Sequence, residues 1–170
     1  MWNPCNTFRL LPTDSHVPLF SRHWLHPSTS QPDAQRLHLS GPALQIQIEI
    51  PDDLAALLAN ESKPIPQPQT GTALIDTGAS FTAVDERFLR QLGLVPVGSQ
   101  PVSTPSGQSV HLLYPCKITF PGTPIPPLPF NAIIGCSLTG FGHVALIGRD
   151  LLRHFLLVYN GVEGNWTLAF

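Results

Sequence analysis

The sequence has little charge and no long apolar segment. Only 12% of its residues are charged and the formal net charge is −2, which provides no basic surface for nucleic acid or anionic lipid. No run of residues approaches the roughly 20 apolar residues of a transmembrane helix. The first residues also lack the basic and then apolar layout of a signal peptide. The sequence therefore predicts a protein that binds neither nucleic acid nor membrane.

Cysteine is scarce as well. The chain has three cysteines, Cys5, Cys116 and Cys136. Their odd number and the absence of a CxxC spacing argue against a disulfide framework and against a cysteine-based zinc site. We therefore expect reduced thiols, a cytoplasmic location, and no metal ion or other cofactor.

Proline and glycine, in contrast, are frequent. Nineteen prolines and thirteen glycines interrupt the 170 residues, which favours short strands joined by tight turns over long helices. A chain of this length supports one compact domain. Residues 1–40 are rich in Pro, Ser and His and carry aromatic residues at no regular period, so we expect a poorly ordered N-terminal arm. Residues 41–170 would then form a mainly β domain.

The alternation of apolar and polar residues begins at residue 44. Leu44, Ile46, Ile48 and Ile50 alternate with polar residues, as in a half-buried strand that Pro51 ends. Asp52 or Asp53 is placed to cap a short helix. Further along, Asp85 is placed to cap a second helix that Gly93 stops in the left-handed conformation.

The remaining elements are predicted from strand-like runs and turn residues. Residues 104–107 suit the tip of a β-hairpin, and a second hairpin pairs residues 156–159 with 166–170 around Asn160 and Gly161. We also expect strands at 130–134 and 144–147 and a short helix from Arg149 to about residue 154.

One acidic residue stands out by its position. The short apolar strand 73–75 runs directly into Asp76, Thr77 and Gly78. A carboxylate at the end of a buried strand is costly unless several donors hold it. Gly78 permits a tight turn and Thr77 supplies a bracing hydroxyl, so the three residues can present one acid at a cleft. For the tripeptide alone, an ordinary surface turn is the more frequent explanation.

The longer sequence context favours the site. Residues 73–80, ALIDTGAS, resemble the active-site loop of retropepsins, the single-lobe aspartic proteases of retroviruses and their bacterial and eukaryotic relatives. Residues 145–152, ALIGRDLL, are similar to the segment that opens the family's C-terminal helix, and residues 166–170 to the terminal strand through which its subunits pair. The resemblance spans about residues 44–170. It implies a single-lobe acid-protease fold, a closed β-barrel with a short C-terminal helix.

The resemblance also implies roles for individual residues. Asp76 would be the catalytic acid, Thr77 a hydrogen-bonding brace to the other subunit and Gly78 a backbone position facing the substrate. The residues implied to support the active-site loop and to form the flap are Ala79, Ser80, Thr104, Pro105, Ser106 and Gly107. Gly148 and Arg149 would be structural.

The sequence departs from the viral pattern at two places. The flap tip has less glycine, and Pro105 should stiffen it. The helix arginine of viral enzymes often pairs with an acid at the position that is Ser80 here. Arg149 therefore needs another partner, and Asp85 and a backbone carbonyl are the two candidates.

The resemblance implies a homodimeric aspartic endopeptidase that binds an extended peptide beneath two flaps. The chain has a single Asp-Thr-Gly, so the second acid would come from another copy across a twofold axis. Two alternatives remain open at this point. One is a catalytically silent, dimeric peptide-binding module with the same fold. The other is a monomeric β-barrel binding domain in which the motif occurs by chance.

Overall fold

The computed structural model describes residues 18–104 and 107–170, which form ten strands and four short helices. The strands are Leu19–His23 (β1), Ala43–Glu49 (β2), Gln69–Ile75 (β3), Ala83–Asp85 (β4), Gly98–Thr104 (β5), Gly107–Thr119 (β6), Leu128–Cys136 (β7), Ala145–Ile147 (β8), Leu156–Asn160 (β9) and Asn165–Ala169 (β10). The helices are Ala34–Ser40 (α1), Asp52–Asn60 (α2), Glu86–Gln91 (α3) and Arg149–Leu152 (α4). The prediction of a mainly β protein is confirmed. Among the described helices, none has the length and apolarity to cross a membrane.

A seven-stranded sheet forms the body of the protein. Its strand order is β2-β3-β8-β4-β7-β6-β5, and a further pairing of β2 with β6 closes most of the sheet into a ring. The alternation predicted for β2 is confirmed, because Leu44, Ile46 and Ile48 are all buried. These side chains face the interior of the ring, where they join one continuous apolar core.

The two predicted helix caps have different outcomes. Asp85 caps α3 by accepting a hydrogen bond from the Arg87 amide, and Gly93 ends the helix region with a φ of 73°. The prediction for α2 is wrong, because the helix begins at Asp52 and its N-cap is Pro51. Asp52 instead contacts the Lys117 ammonium at 2.6 Å. Pro51 is already extended, so the two acids fall inside the first helical turn, where negative charge is favourable.

Asp85 also fastens a distant loop. It is almost fully buried, forms an ion pair with Arg87 at 2.9 Å and accepts a hydrogen bond from the Leu138 amide. The hydrogen bonds from the Arg87 side chain lower the pKa of this carboxyl below its ordinary value, against the opposing effect of burial. Asp85 therefore remains ionised and ties β4 to the loop after β7.

A second, three-stranded sheet has the order β1-β10-β9. Trp166 of β10 is fully buried and meets the ring of Phe20 edge-on at 5.5 Å. Trp24 donates its indole N–H to the Gly41 carbonyl at 3.0 Å. The expectation of a poorly ordered N-terminal arm is therefore wrong for residues 18–40, which form β1 and α1. Residues 1–17 lie outside the described part. Aromatic residues without a sequence period act here as long-range anchors.

The C-terminal half follows the sequence prediction closely. β7, β8 and α4 occur where a strand, a strand and a short helix are expected, each within about two residues. β9 and β10 form the predicted hairpin, with Asn160 opposite Asn165. The terminal strand β10, however, has both edges paired inside the chain, by β1 and by β9. An open edge on this strand, which pairing with a second subunit would need, is therefore not present.

The anchoring of β1 gives a stability prediction. We expect Phe20→Ala to lower the free energy of unfolding by about 2 kcal/mol, because it removes a partly buried ring from the Trp166 contact. Leu19 is 62% exposed, so Leu19→Ala is the matched control and should change it by less than about 0.5 kcal/mol. Urea denaturation measures both. Equally small losses would mean that β1 does not pack on the core in solution.

Candidate active site

Asp76 lies at the end of β3, where the chain leaves the sheet. β3 pairs in parallel with β8 through Ala73, Leu74 and Ile75. One residue later, the Asp76 amide donates to the Ile147 carbonyl at 3.0 Å. The ladder between β3 and β8 therefore fixes the backbone up to the point where the acidic side chain begins.

The carboxylate of Asp76 is held by its own loop. Its Oδ1 atom accepts hydrogen bonds from the Gly78 amide at 2.8 Å and the Ala79 amide at 3.2 Å. No described residue hydrogen-bonds to Oδ2. A Cβ atom at Gly78 would lie 3.1 Å from Asp76 Oδ1, a tight contact that favours glycine here. The loop thus orients one carboxylate oxygen and leaves the other available to a ligand.

Arg149 holds the same loop from the other side. Its guanidinium donates to the carbonyls of Thr77 at 2.7 Å and Gly78 at 3.0 Å, and to the Ser80 hydroxyl at 2.8 Å. Of the two partners expected from the sequence, the backbone carbonyl is confirmed and Asp85 is wrong. A planar guanidinium suits this task because its donors point in fixed directions.

Gly148 and two further residues join α4 to the loop. A Cβ atom at Gly148 would lie 2.4 Å from the Phe81 carbonyl carbon, so the close approach of the two backbones requires glycine. The Gly148 amide donates to the Thr82 hydroxyl at 3.1 Å. Asp150 Oδ1 in turn accepts from both the amide and the hydroxyl of Thr82, at 2.8 and 2.7 Å.

Thr82 and Asp150 are site residues that the sequence reasoning missed. Thr82 is buried, and a buried hydroxyl needs a partner. The signal was a hydroxyl residue inside the apolar run 81–84, together with an acid directly after the Gly-Arg pair. Neither feature says which residue the hydroxyl contacts, so the link between the two segments was not predictable.

A cleft of about 550 Å³ opens beside Asp76. Its lining includes the loop residues Asp76, Gly78, Ala79 and Ser80. The apolar part of the lining includes Phe81, Val102, Ile134 and Leu146, and the hairpin β5–β6 adds Pro101, Ser103 and His111. The Asp76 loop and the predicted flap hairpin are therefore brought to the same cleft.

Other predicted site residues lie outside this cleft lining. Thr77 is exposed, and its hydroxyl has no partner among the described residues. The hairpin tip has the predicted position, with Thr104 opposite Gly107, whereas Pro105 and Ser106 lie outside the described residues. The hairpin contributes its stem, residues 101–103 and 111, to the cleft. Sequence reasoning placed the contact at the tip.

Two more titratable side chains line the cleft. His111 hydrogen-bonds through its ring nitrogens to the Ser109 hydroxyl at 2.7 Å and to the Gly135 carbonyl at 3.2 Å. Burial, together with the nearby acids Asp85 and Glu86, raises the pKa of the Cys136 thiol to about 11. Cys136 is therefore a protonated thiol at neutral pH and a poor nucleophile. Among the lining residues, Asp76 alone carries a carboxylate.

Neither a metal cluster among the described residues nor a similarity to a known protein adds to this geometry. Within residues 18–104 and 107–170, no three His, Cys, Asp or Glu side chains cluster so that they could hold a metal ion. In comparisons with known proteins, no family model and no curated protein matches the chain. The functional interpretation therefore depends on the site itself.

The contact between Thr82 and Asp150 gives a second stability prediction. We expect Asp150→Ala to lower the free energy of unfolding by about 2–3 kcal/mol, because it leaves two donors of a buried residue without an acceptor. Asp150→Asn keeps an oxygen at the same place and should cost less than about 1 kcal/mol. Denaturant titration of both variants measures the difference. Equal losses would show that the charge of Asp150, and not its acceptor oxygen, stabilises the loop.

Proposed function

We propose that the chain is one subunit of a homodimeric aspartic endopeptidase of the retropepsin-like type. One observation carries the proposal. The carboxylate of Asp76 is fixed by the amides of Gly78 and Ala79, and it lines a cleft of about 550 Å³ that is also bounded by a β-hairpin. A rigidly oriented acid in a largely apolar cleft is the arrangement that acid–base hydrolysis of a peptide needs.

The architecture supports the same proposal. The ring of strands, the acidic loop after β3 and the short helix α4 are elements that the single-lobe acid-protease fold implied by the sequence resemblance would need. The Gly148-Arg149 segment contacts the Asp76 loop directly. This contact supports the resemblance of the two sequence motifs to those of the family. A cytoplasmic location, expected from the unpaired Cys116 and Cys136, belongs to the proposal as well.

The proposed reaction needs two carboxyl groups that share one proton. The sequence has one Asp-Thr-Gly, so the second carboxyl would be Asp76 of another copy, related by a twofold axis. One protonated acid polarises the scissile carbonyl while the other, as a carboxylate, takes a proton from the attacking water. The C–N bond then breaks as the amine leaves with a proton. Water is consumed, and no covalent intermediate forms.

The cleft suggests how a peptide would bind. The β5 residues Pro101, Val102 and Ser103 line it on the hairpin side, and Phe81 and Ile134 add apolar surface. An extended peptide can lie along such a hairpin and place alternate side chains against the apolar lining. Phe81 is 48% exposed, so it is accessible to a ligand.

Substitution of the acid tests the proposal. We expect Asp76→Asn to abolish hydrolysis of denatured casein between about pH 3 and 8, because an amide cannot accept the proton from water. Asp53→Asn, at an exposed acid in the first turn of α2, is the matched control and should retain wild-type activity. Circular dichroism of both variants checks that they fold.

The possible outcomes separate the competing functions. Substantial hydrolysis by purified Asp76→Asn would show that another residue is the acid. Wild-type protein that binds the peptide and never cleaves it would indicate a silent peptide-binding module. Loss of activity in Asp76→Asn alone supports the aspartic endopeptidase.

A further inference from the structure

The hairpin β5–β6 extends beyond the strand that supports it. β6 pairs with β7 only as far as Leu112, which lies opposite Gly135. Residues 107–111 of β6 pair with β5, and β5 is the outer strand of the seven-stranded sheet. Residues 100–104 and 107–111, here called the hairpin arm, therefore lie past the point at which the described pairing with β7 ends.

One side chain at the base of the hairpin arm reaches back to the sheet. His111 precedes the first residue paired with β7, and its Nδ1 atom lies 3.2 Å from the Gly135 carbonyl oxygen. A carbonyl can only accept a hydrogen bond, so Nδ1 carries the proton and donates it. The Nε2 atom lies 2.7 Å from the Ser109 hydroxyl, which orients the ring from within the arm. Among the described side chains of the hairpin arm, His111 alone hydrogen-bonds to a residue outside the hairpin.

Gly135 is a firm point of attachment. It pairs with Leu112 on one side and with Val84 on the other. A Cβ atom at Gly135 would lie 2.7 Å from a ring carbon of Tyr114, so this ring packs directly on the glycine backbone. Tyr114 is itself buried and donates its hydroxyl proton to Glu86 at the start of α3. The carbonyl at the base of the hairpin arm therefore belongs to a well-held part of the sheet.

We propose that His111 is a positioning residue, which holds the hairpin arm against β7 and so sets the position of the arm at the cleft. The proposal rests on the proposed function, because it gives the arm a role in binding the peptide. Pro101, Val102 and Ser103 of the arm line the same cleft as Asp76. An extended peptide that lies along these residues loses less conformational freedom on binding when the arm is already ordered.

The hydrogen bonds of His111 indicate that it acts through the hairpin arm and not on the substrate. The ring lines the cleft, but both of its nitrogens are already bonded, one to Gly135 and one to Ser109. A change at this residue should therefore alter the binding of the peptide more than the chemical step, in which Asp76 acts.

Two substitutions separate the hydrogen bond from the ring. His111→Asn keeps a donor near the position of Nδ1, whereas His111→Phe keeps a ring and has no donor. We expect His111→Phe to raise the KM for a peptide substrate about fivefold and to change kcat less than about twofold, because a hydrogen bond that orders the arm is lost. His111→Asn should keep KM within about twofold of the wild-type value. His38→Phe, at an exposed histidine of α1, is the matched control and should leave both constants unchanged.

The opposite ranking would overturn the proposal. If His111→Asn raises KM as much as His111→Phe does, or more, the packing of the ring and not the hydrogen bond to Gly135 is what matters.

Hydrogen exchange tests the attachment without an assay of activity. The amides of residues 107–111 should exchange about fivefold faster in His111→Phe than in the wild type, and at the wild-type rate in His111→Asn. The amides of Lys117 and Ile118, in the part of β6 that pairs with both β2 and β7, are the internal control and should not change. His111→Leu, which also lacks a donor, takes the place of His111→Phe if that variant does not fold. Exchange that is unaffected by loss of the donor would overturn the proposal.

The outcomes also distinguish this proposal from the proposed function. Faster exchange in His111→Phe that His111→Asn restores, in a protein without peptidase activity, supports the attachment and contradicts the function. An active enzyme in which His111→Phe changes neither the exchange nor KM supports the function and overturns the proposal. Faster exchange with an unchanged KM would show that the position of the hairpin arm does not affect peptide binding, which also overturns the proposal.

Discussion

The candidate site depends on the attachment of one loop to the start of one short helix. Residues 73–82 and 145–151 are far apart in the sequence, yet they share a strand pairing, a close backbone contact at Gly148 and the hydrogen bonds of Arg149 and Asp150. These hydrogen bonds give partners to polar groups that would otherwise be buried without one or left mobile. The attachment thus holds the loop whose Gly78 and Ala79 amides orient the Asp76 carboxylate.

The chemistry of the attachment explains why it can be rigid at a low cost in free energy. Arg149 donates to neutral oxygens of the loop, and Asp150 accepts from Thr82, so the cationic and the anionic side chain are each satisfied by dipoles of the opposite segment. Side chains that fix an active group are most effective when they are themselves held by packing and hydrogen bonds. The loop can therefore hold Asp76 in a cleft whose remaining lining is mostly uncharged.

Local signals in the sequence were sufficient where the structure is determined by neighbours in the chain. The period-2 pattern of β2, the Asp85 cap and the terminal hairpin all follow from short-range rules. Predictions failed where contacts between distant segments determine the structure. Phe20 is ordered by Trp166, far along the sequence, and no local period could show this.

The residues of the candidate site also fall into two groups, those that the local sequence predicts and those that it does not. Asp76, Gly78 and Arg149 could be found because they belong to contiguous motifs. Thr82 and Val102 could not, since a hydroxyl or an apolar residue acquires its role only through the segment that packs against it. The N-cap of α2 at Pro51 was equally beyond sequence rules, because those rules favour an acidic residue such as Asp52 as the cap and Pro51 caps the helix without a side-chain hydrogen bond.

A site shared by two copies is tested most directly by mixing subunits. Wild-type and Asp76→Asn chains are combined at constant total concentration, allowed to exchange, and assayed for peptide hydrolysis. If each site needs Asp76 from both copies, activity falls with the square of the wild-type fraction, to about a quarter in an equal mixture. A linear fall, to about half, would show that one chain is sufficient for catalysis and would contradict the shared site.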